Sequence, residues 1–126
     1  MRATVKKRFP ILALTGLLIV VPAASAMNLI PLLRDTPAEL FTEQDYALFD
    51  GALRKALDEL QTGGVAQWEN PQTRAAGSVT VAQEYERAGS PCKRLRVENR
   101  ANHRVGLTTF DFCRQADGRW VLAPAQ

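Results

Sequence analysis

Apolar residues recur at two different periods along this chain, and the change of period divides it. Between Thr42 and Leu60, the residues Tyr46, Phe49, Leu53, Ala56, Leu57 and Leu60 fall three or four apart, while Asp50, Arg54, Lys55, Asp58 and Glu59 lie off that stripe. This spacing predicts an amphipathic helix with one core-facing side. Thr42 is placed to cap its start, Glu43 and Asp45 suit the positive end of the helix dipole, and Gly63-Gly64 ends it. The polar side is mixed in charge, which fits a helix packed on a core and not one lying on a membrane.

From Val65 onward the period drops to two, in short runs separated by turn residues. VAQWE leads into Asn70-Pro71, a turn initiator. Gly77 to Arg87 alternates, with Val79, Val81 and Tyr85 expected on one side and Thr80, Glu84 and Glu86 on the other. Gly89-Ser90-Pro91 turns into the run from Cys92 to Cys113, and Asp117-Gly118 is a type I′ signal before a last strand, RWVLA. The expected fold class is α+β: one N-terminal amphipathic helix packed on an antiparallel meander sheet of about five strands.

The stretch Cys92–Cys113 predicts its own register. A two-residue turn at Asn102-His103 suits type I′ geometry, because Asn tolerates positive φ. Ala101 then faces Arg104, Asn99 faces Gly106, Val97 faces Thr108 and Leu95 faces Phe110. Further out, Arg94 falls opposite Asp111 and Cys92 opposite Cys113. The two cysteines form a non-hydrogen-bonded pair, with Cα atoms about 4.5 Å apart, within reach of a disulfide; the rival reading is two free buried thiols or a metal pair. Such a disulfide stabilises a small domain by about 3 kcal/mol in the chain-entropy model, and the Arg94–Asp111 pair adds about 0.2–1 kcal/mol. One face of this hairpin carries Leu95, Val97, Phe110 and Phe112 and reads as core. The other carries Cys92, Arg94, Arg96, Glu98, Val105, Leu107, Thr109, Asp111 and Cys113. A two-residue turn at Asp117-Gly118 would put Trp120 and Leu122 on this second face. One helix covers only one side of a sheet, so the second face either curls closed or meets a partner.

Ahead of the helix, residues 1–26 have the form of a secretory signal. Arg2, Lys6, Lys7 and Arg8 form a basic start, Ile11 to Val21 is apolar, and Ala24-Ser25-Ala26 is a cleavage site that makes Met27 the mature start. The apolar run is short for a membrane-spanning helix, so no transmembrane segment is expected after its removal. Export also makes a disulfide chemically reasonable. Residues 27–41 follow as an arm containing Pro31 and Pro37; its Leu29, Ile30, Leu32 and Leu33 are expected to pack on the domain at 42–126, with self-association as the alternative.

Removing the signal changes the charge argument. The chain has 16 basic and 13 acidic residues, and the four basic residues of the signal leave 12 against 13. The high isoelectric point therefore belongs to the signal, and nucleic acid is not an expected partner. The mature part is about 100 residues, the size of one domain.

Several motifs occur in a fixed order: Trp68-Glu69-Asn70-Pro71-Gln72-Thr73, Gly77-Ser78-Val79, Tyr85, Cys92-Lys93, and Cys113-Arg114-Gln115-Ala116-Asp117-Gly118-Arg119-Trp120. Together, over roughly Phe49 to Leu122, they resemble the seventeen-kilodalton surface-antigen family of bacterial envelope proteins. The resemblance implies an exported domain of Gram-negative type, in the periplasm or associated with the outer membrane, with no established enzymatic activity. Two positions depart from the family: Arg74 stands where it usually has Gly, and Lys93 where it usually has Arg. Many relatives also carry a lipoprotein cysteine and a glycine-zipper segment; neither is found here, so membrane anchoring is not carried over.

No catalytic set is expected. His103, the sole histidine, falls in a turn; two cysteines and one histidine lack metal-ligand spacing, and no cofactor-cradling glycine loop is present. Glu84 and Glu86 share a strand face but suit a solvated edge. Arg94, Arg96 and Arg100 alternate on one strand, with Arg104 and Lys93 nearby, and make the one basic patch. With Trp120 they form the expected interaction surface, facing an anionic envelope component or an acidic protein partner. The expectation is a non-enzymatic interaction module; the alternative is a small periplasmic ligand-binding protein or hydrolase using the helix–sheet cleft.

Overall fold

The computed structural model describes residues 30–124. The expected signal over residues 1–26 and the first residues of the expected arm, to Leu29, lie outside that range. Two short 3-10 turns, Ile30–Leu33 and Pro37–Leu40, precede helix α1, Glu43–Glu59. Five strands follow: β1 (Val65–Glu69), β2 (Ala76–Arg87), β3 (Ser90–Ala101), β4 (Arg104–Arg114) and β5 (Trp120–Ala123). They form one antiparallel sheet in chain order.

Helix α1 begins where the capping residues dictate. The Thr42 hydroxyl accepts from the Asp45 amide at 3.2 Å, and the Asp45 carboxylate accepts from the Thr42 amide at 2.9 Å. Phe49, Leu53, Ala56 and Leu57 of its stripe are buried against Val79, Val81, Leu95 and Val97 of the sheet. The helix sits over β1 and β2, and the arm covers the remainder: the second 3-10 turn packs on β3 and β4. Leu33, Ala38 and Phe41 are buried there, whereas Leu32, also expected to pack on the domain, is exposed, since it points away from the core that Leu33 joins; Leu29 lies outside the described residues.

A cross-strand row shows why the arm fits. Trp68, Gly77, Asn99 and Gly106 pair successively across four strands on the helix side. A Cβ on Gly106 would lie 2.5 Å from Cδ of Pro37, and one on Gly77 would lie 2.5 Å from both Trp68 Nε1 and Asn99 Oδ1. The two glycines leave the space that the proline of the arm and the indole of β1 occupy.

The β3–β4 register is the expected one at every pair, from Ala101 facing Arg104 to Cys92 facing Cys113. Asn102 and His103 have φ of 49° and 64°, the two positive values of a type I′ turn. Cys92 and Cys113 are bonded, with Cα atoms 4.0 Å apart.

Two expectations about faces are overturned, each by a single residue. In β2 the pairing with β3 shifts between Val81 and Gln83, so Ala82 is an extra residue. Past this bulge Tyr85 pairs with Cys92 and lies on the disulfide side, away from Val79 and Val81. At the β4–β5 connection, the Gln115 amide donates to the Arg119 carbonyl at 2.7 Å and Gly118 has φ of 86°. The loop therefore holds three residues, Ala116 to Gly118, and not two. An odd count moves every later side chain to the other face. Trp120 pairs with Arg114 and Leu122 with Phe112, which puts both on the helix side.

Candidate functional site

With α1 and the arm on one face, the other face of the sheet is open, and the strand register arranges it in rows. Glu69, Ala76, Arg100 and Val105 form one; Gln67, Ser78, Glu98 and Leu107 the next; Val65, Thr80, Arg96 and Thr109 a third. Beyond the bulge come Gln83, Arg94, Asp111 and Ala123, then Tyr85, Cys92, Cys113 and Val121. Four of the six large exposed apolar side chains of the described residues lie on this face: Val65, Val105, Leu107 and Val121.

The arginines that mark this face in the sequence are mostly engaged within it. Arg94 Nε and Nη2 donate to the two carboxylate oxygens of Asp111 at 2.8 and 3.0 Å, a fork-to-fork pair. Its guanidinium carbon stands 5.8 Å from the Tyr85 ring centre. Hydrogen bonding from Arg94 holds the Asp111 carboxyl below the usual carboxylate range, against the opposing effect of its burial. Arg100 lies 3.4 Å from Glu98, both well exposed. Arg96 is exposed and forms no ion pair among the described residues. Among the described residues the face is thus a mixed polar and apolar surface, with Arg94 and Arg100 paired and Arg96 unpaired, and not a strongly basic patch.

Two residues assigned to that patch are elsewhere. Trp120 lies on the helix side, where its indole N–H donates to Asp58 of α1 at 3.1 Å. Lys93 also points to the helix side. Its ammonium, 8% exposed as a residue, donates to the carbonyls of Ala56 (3.2 Å), Leu57 (2.8 Å) and Leu60. These are carbonyls at the C-terminal end of α1, which has no basic residue in its own last turn. The cation that complements the helix dipole is supplied by a strand.

The carboxylates considered as catalytic are structural or solvated. Glu84 accepts from the Thr62 amide at 2.7 Å and the Thr62 hydroxyl at 3.1 Å, fastening the chain between α1 and β1 to β2. Those bonds from Thr62 lower its pKa. Glu86 and His103 are exposed. Besides Asp111, the buried carboxylate among the described residues is Asp45, which accepts from Asn70 Nδ2 and the Thr73 hydroxyl, both at 2.7 Å, in addition to the Thr42 cap. Burial pushes the Asp45 pKa up, but the bonds from the Thr42 backbone, Thr73 and Asn70 outweigh it, and the pKa is lowered. Asn70-Pro71-Gln72-Thr73 is therefore a latch that docks the β1–β2 loop on the start of α1. Thr42 and Asp45 at capping-box spacing were the visible signal; the long-range partners carried none.

The space between helix and sheet is filled by Phe49, Leu53, Leu57, Trp68, Val79, Val81 and Phe112. Among the described residues no group of His, Cys, Asp and Glu is placed to hold a metal, and no helix is long and apolar enough to cross a membrane.

Comparison with known proteins places these features in a family. The profile of the family described as "17 kDa outer membrane surface antigen" matches residues 55–121, over half of the chain. The match spans the latch loop, the disulfide hairpin, Lys93 and Trp120. The 17 kDa surface antigen of Rickettsia prowazekii (strain Madrid E) is 30% identical over 81 residues, which cover 64% of this chain and 51% of that protein. That of Rickettsia bellii (strain RML369-C) is 28% identical over 81 residues, with the same two shares. The chain thus spans about half the length of the curated relatives it matches. No solved structure matches it significantly.

Proposed function

Because the chain belongs to the 17 kDa outer membrane surface antigen family, we propose that it is an exported, non-enzymatic envelope protein that acts as an interaction module through the open face of its sheet. The observation that carries this reading is the asymmetry of the sheet. Helix and arm fill one side, while Val65, Val105, Leu107 and Val121 are exposed on the other with Arg96 among them. These aliphatic side chains, spread over one face among polar residues, are what a broad and flat contact would cover. The internal pairing of Arg94 and Arg100 favours a protein partner with mixed chemistry over a polyanion such as lipopolysaccharide phosphate. The filled helix–sheet core counts against the alternative of a cleft that binds a small ligand or hydrolyses one.

Residence in the periplasm, soluble or associated with the outer membrane, belongs to the same proposal. It rests on the signal at residues 1–26, the disulfide and the family. N-terminal sequencing of protein recovered from the envelope should begin at Met27. To test the contact surface, a photo-crosslinking residue is placed in living cells at Arg96 or, as control, at Lys55 on the exposed side of α1. A discrete adduct from position 96 that is absent from position 55, and that Val65→Glu abolishes, supports the reading. Equal adducts from both positions, or none from 96, would sink it.

A further inference from the structure

Beyond the open face, the sheet has a long free edge. Strand β5 pairs only with the part of β4 from Asp111 to Arg114, so Arg104 to Phe110 have a neighbouring strand on one side only. Ala101 and Arg104 flank a two-residue turn and exchange backbone bonds with each other. Counting out from them, the N–H and C=O groups of Val105, Leu107 and Thr109 point away from β3. Among the described residues these outward groups have no backbone partner. Edges of this kind are ordinarily blunted by a lysine, a proline, a bulge or a covering element. The run Val105-Gly106-Leu107-Thr108-Thr109 has no charge, no proline and no register shift. Its side chains on the open face are among the most exposed apolar groups of the fold, Val105 at 66% and Leu107 at 55%. At the same edge, residues of both faces, among them Leu32, Thr109, Phe110 and Leu122, border a groove of about 650 Å³.

We propose that this edge pairs with the same edge of a second copy, antiparallel, about a two-fold axis through Leu107. The outward groups at 105, 107 and 109 are symmetric about that residue, so each outward N–H meets an outward C=O of the other copy. Val105 then faces Thr109 across the axis and Leu107 faces its own image. Because the run is uncharged, self-pairing brings no like charges together, and the contact is isologous and closed. The exposed valines and leucines of both copies become neighbours, and the two open faces join into one surface. This assembly uses the free edge of β4, whereas Arg96 and Val65, which carry the test of the envelope contact, lie on β3 and β1; it holds or fails independently of the envelope partner proposed above.

The test uses the purified exported chain and measures mass by sedimentation equilibrium, with amide exchange alongside. Two double variants alter the same two exposed positions. In Val105→Glu with Thr109→Lys, opposite charges face each other across the axis. In Val105→Glu with Thr109→Glu, like charges do. The expected result is a concentration-dependent dimer whose Val105, Leu107 and Thr109 amides slow in exchange as it forms. The Glu/Lys variant should dimerise at least tenfold more tightly than the Glu/Glu variant, with a gap that shrinks as salt is added. The Thr109→Pro variant, which removes one outward N–H and no bond to β3, should dimerise at least tenfold more weakly than the parent. A chain that stays monomeric into the high micromolar range overturns the proposal, and so does equal assembly of the two double variants. A monomer with those three amides already protected also overturns it, since another part of the chain would then cover the edge.

Discussion

Replacing Lys93 by Met should destabilise the fold more than any change to a surface charge, and replacing it by Arg should be tolerated. The Lys93 ammonium donates to three carbonyls at the end of α1, two of them in buried surroundings. A hydrogen bond to a charged group contributes about 1.5–3 kcal/mol, but three bonds from one cation are not additive. The favourable placement of that cation at a helix C-terminus adds about 0.3–1 kcal/mol. Methionine matches the stem in length and polarity, so packing is conserved while the donors are lost. A cost of about 3 kcal/mol follows, or a fall in Tm of about 10–25 °C for a domain of this size. Arginine retains the charge and several donors at nearly the same reach, so its cost should stay below about 1 kcal/mol. What the site requires is a cation reaching across from β3 to the helix end. Urea unfolding followed by circular dichroism measures both variants, with the slope m as a check that only stability has changed. A Met variant within about 1 kcal/mol of the parent refutes the capping argument. An Arg variant as unstable as the Met variant does so too.

Four further outcomes follow from individual positions. Gly77→Ala should cost about 2–3 kcal/mol, because its Cβ would stand 2.6 Å from the Glu98 carbonyl, which is backbone and cannot yield, as well as against Trp68 and Asn99; a thermal shift under 2 °C, small against about 4–8 °C per kcal/mol, would contradict it. Arg74 has φ of 63°, a conformation that costs a side-chain-bearing residue about 1–2 kcal/mol; Arg74→Gly should therefore raise stability by about 0.5–1 kcal/mol after the entropy cost of glycine, and a lowered urea midpoint would count against this. Asp45 and Asp111 have folded pKa values below the ordinary 3.8. The unfolded chain therefore binds protons first, and the stability they contribute is fully present above their unfolded pKa and lost as pH falls through the folded values. Asp45→Asn should be less stable at neutral pH and flatter in its acid profile, and a profile parallel to the parent's would be evidence against the latch. Finally, breaking the Cys92–Cys113 bridge should cost about 3 kcal/mol, read as a lower urea midpoint in reductant; if both sulfurs can be alkylated in the exported protein without reductant, the bridge is not formed there.

How much of this was legible in the sequence depended on whether a feature was local. The helix was written in its stripe and in Thr42, and the β3–β4 register in Asn102-His103 together with two cysteines that match in only one alignment. Both misplacements came from a single residue. Ala82 gives no compositional sign of being a bulge, since β2 reads as unbroken alternation on either side of it. Asp117-Gly118 suits a two-residue turn and also a three-residue loop whose last residue, Gly118, takes positive φ. Because side chains alternate with period two, each of these one-residue choices inverted the face of everything beyond it. The residues that bind distant elements, Lys93 to α1 and Asp45 to Asn70 and Thr73, look in isolation like ordinary surface charges.

The same two inversions decide what the molecule offers to others. Had Trp120 and Leu122 faced the disulfide, the open side would carry an aromatic anchor beside Val105 and Leu107, and a single hydrophobic hot spot would be the natural reading. The three-residue loop instead sends the indole to α1, where it donates to Asp58, and leaves Val121 outside. The bulge at Ala82 brings Tyr85 over to the open side, where its ring stacks by Arg94 and reinforces the Asp111 pair. What faces outward is thus a dispersed set of aliphatic side chains around internally paired charges. A surface of that kind has no deep anchor point and gains contact energy by extent, either over the whole sheet against a flat partner or along an edge where backbone groups add hydrogen bonds.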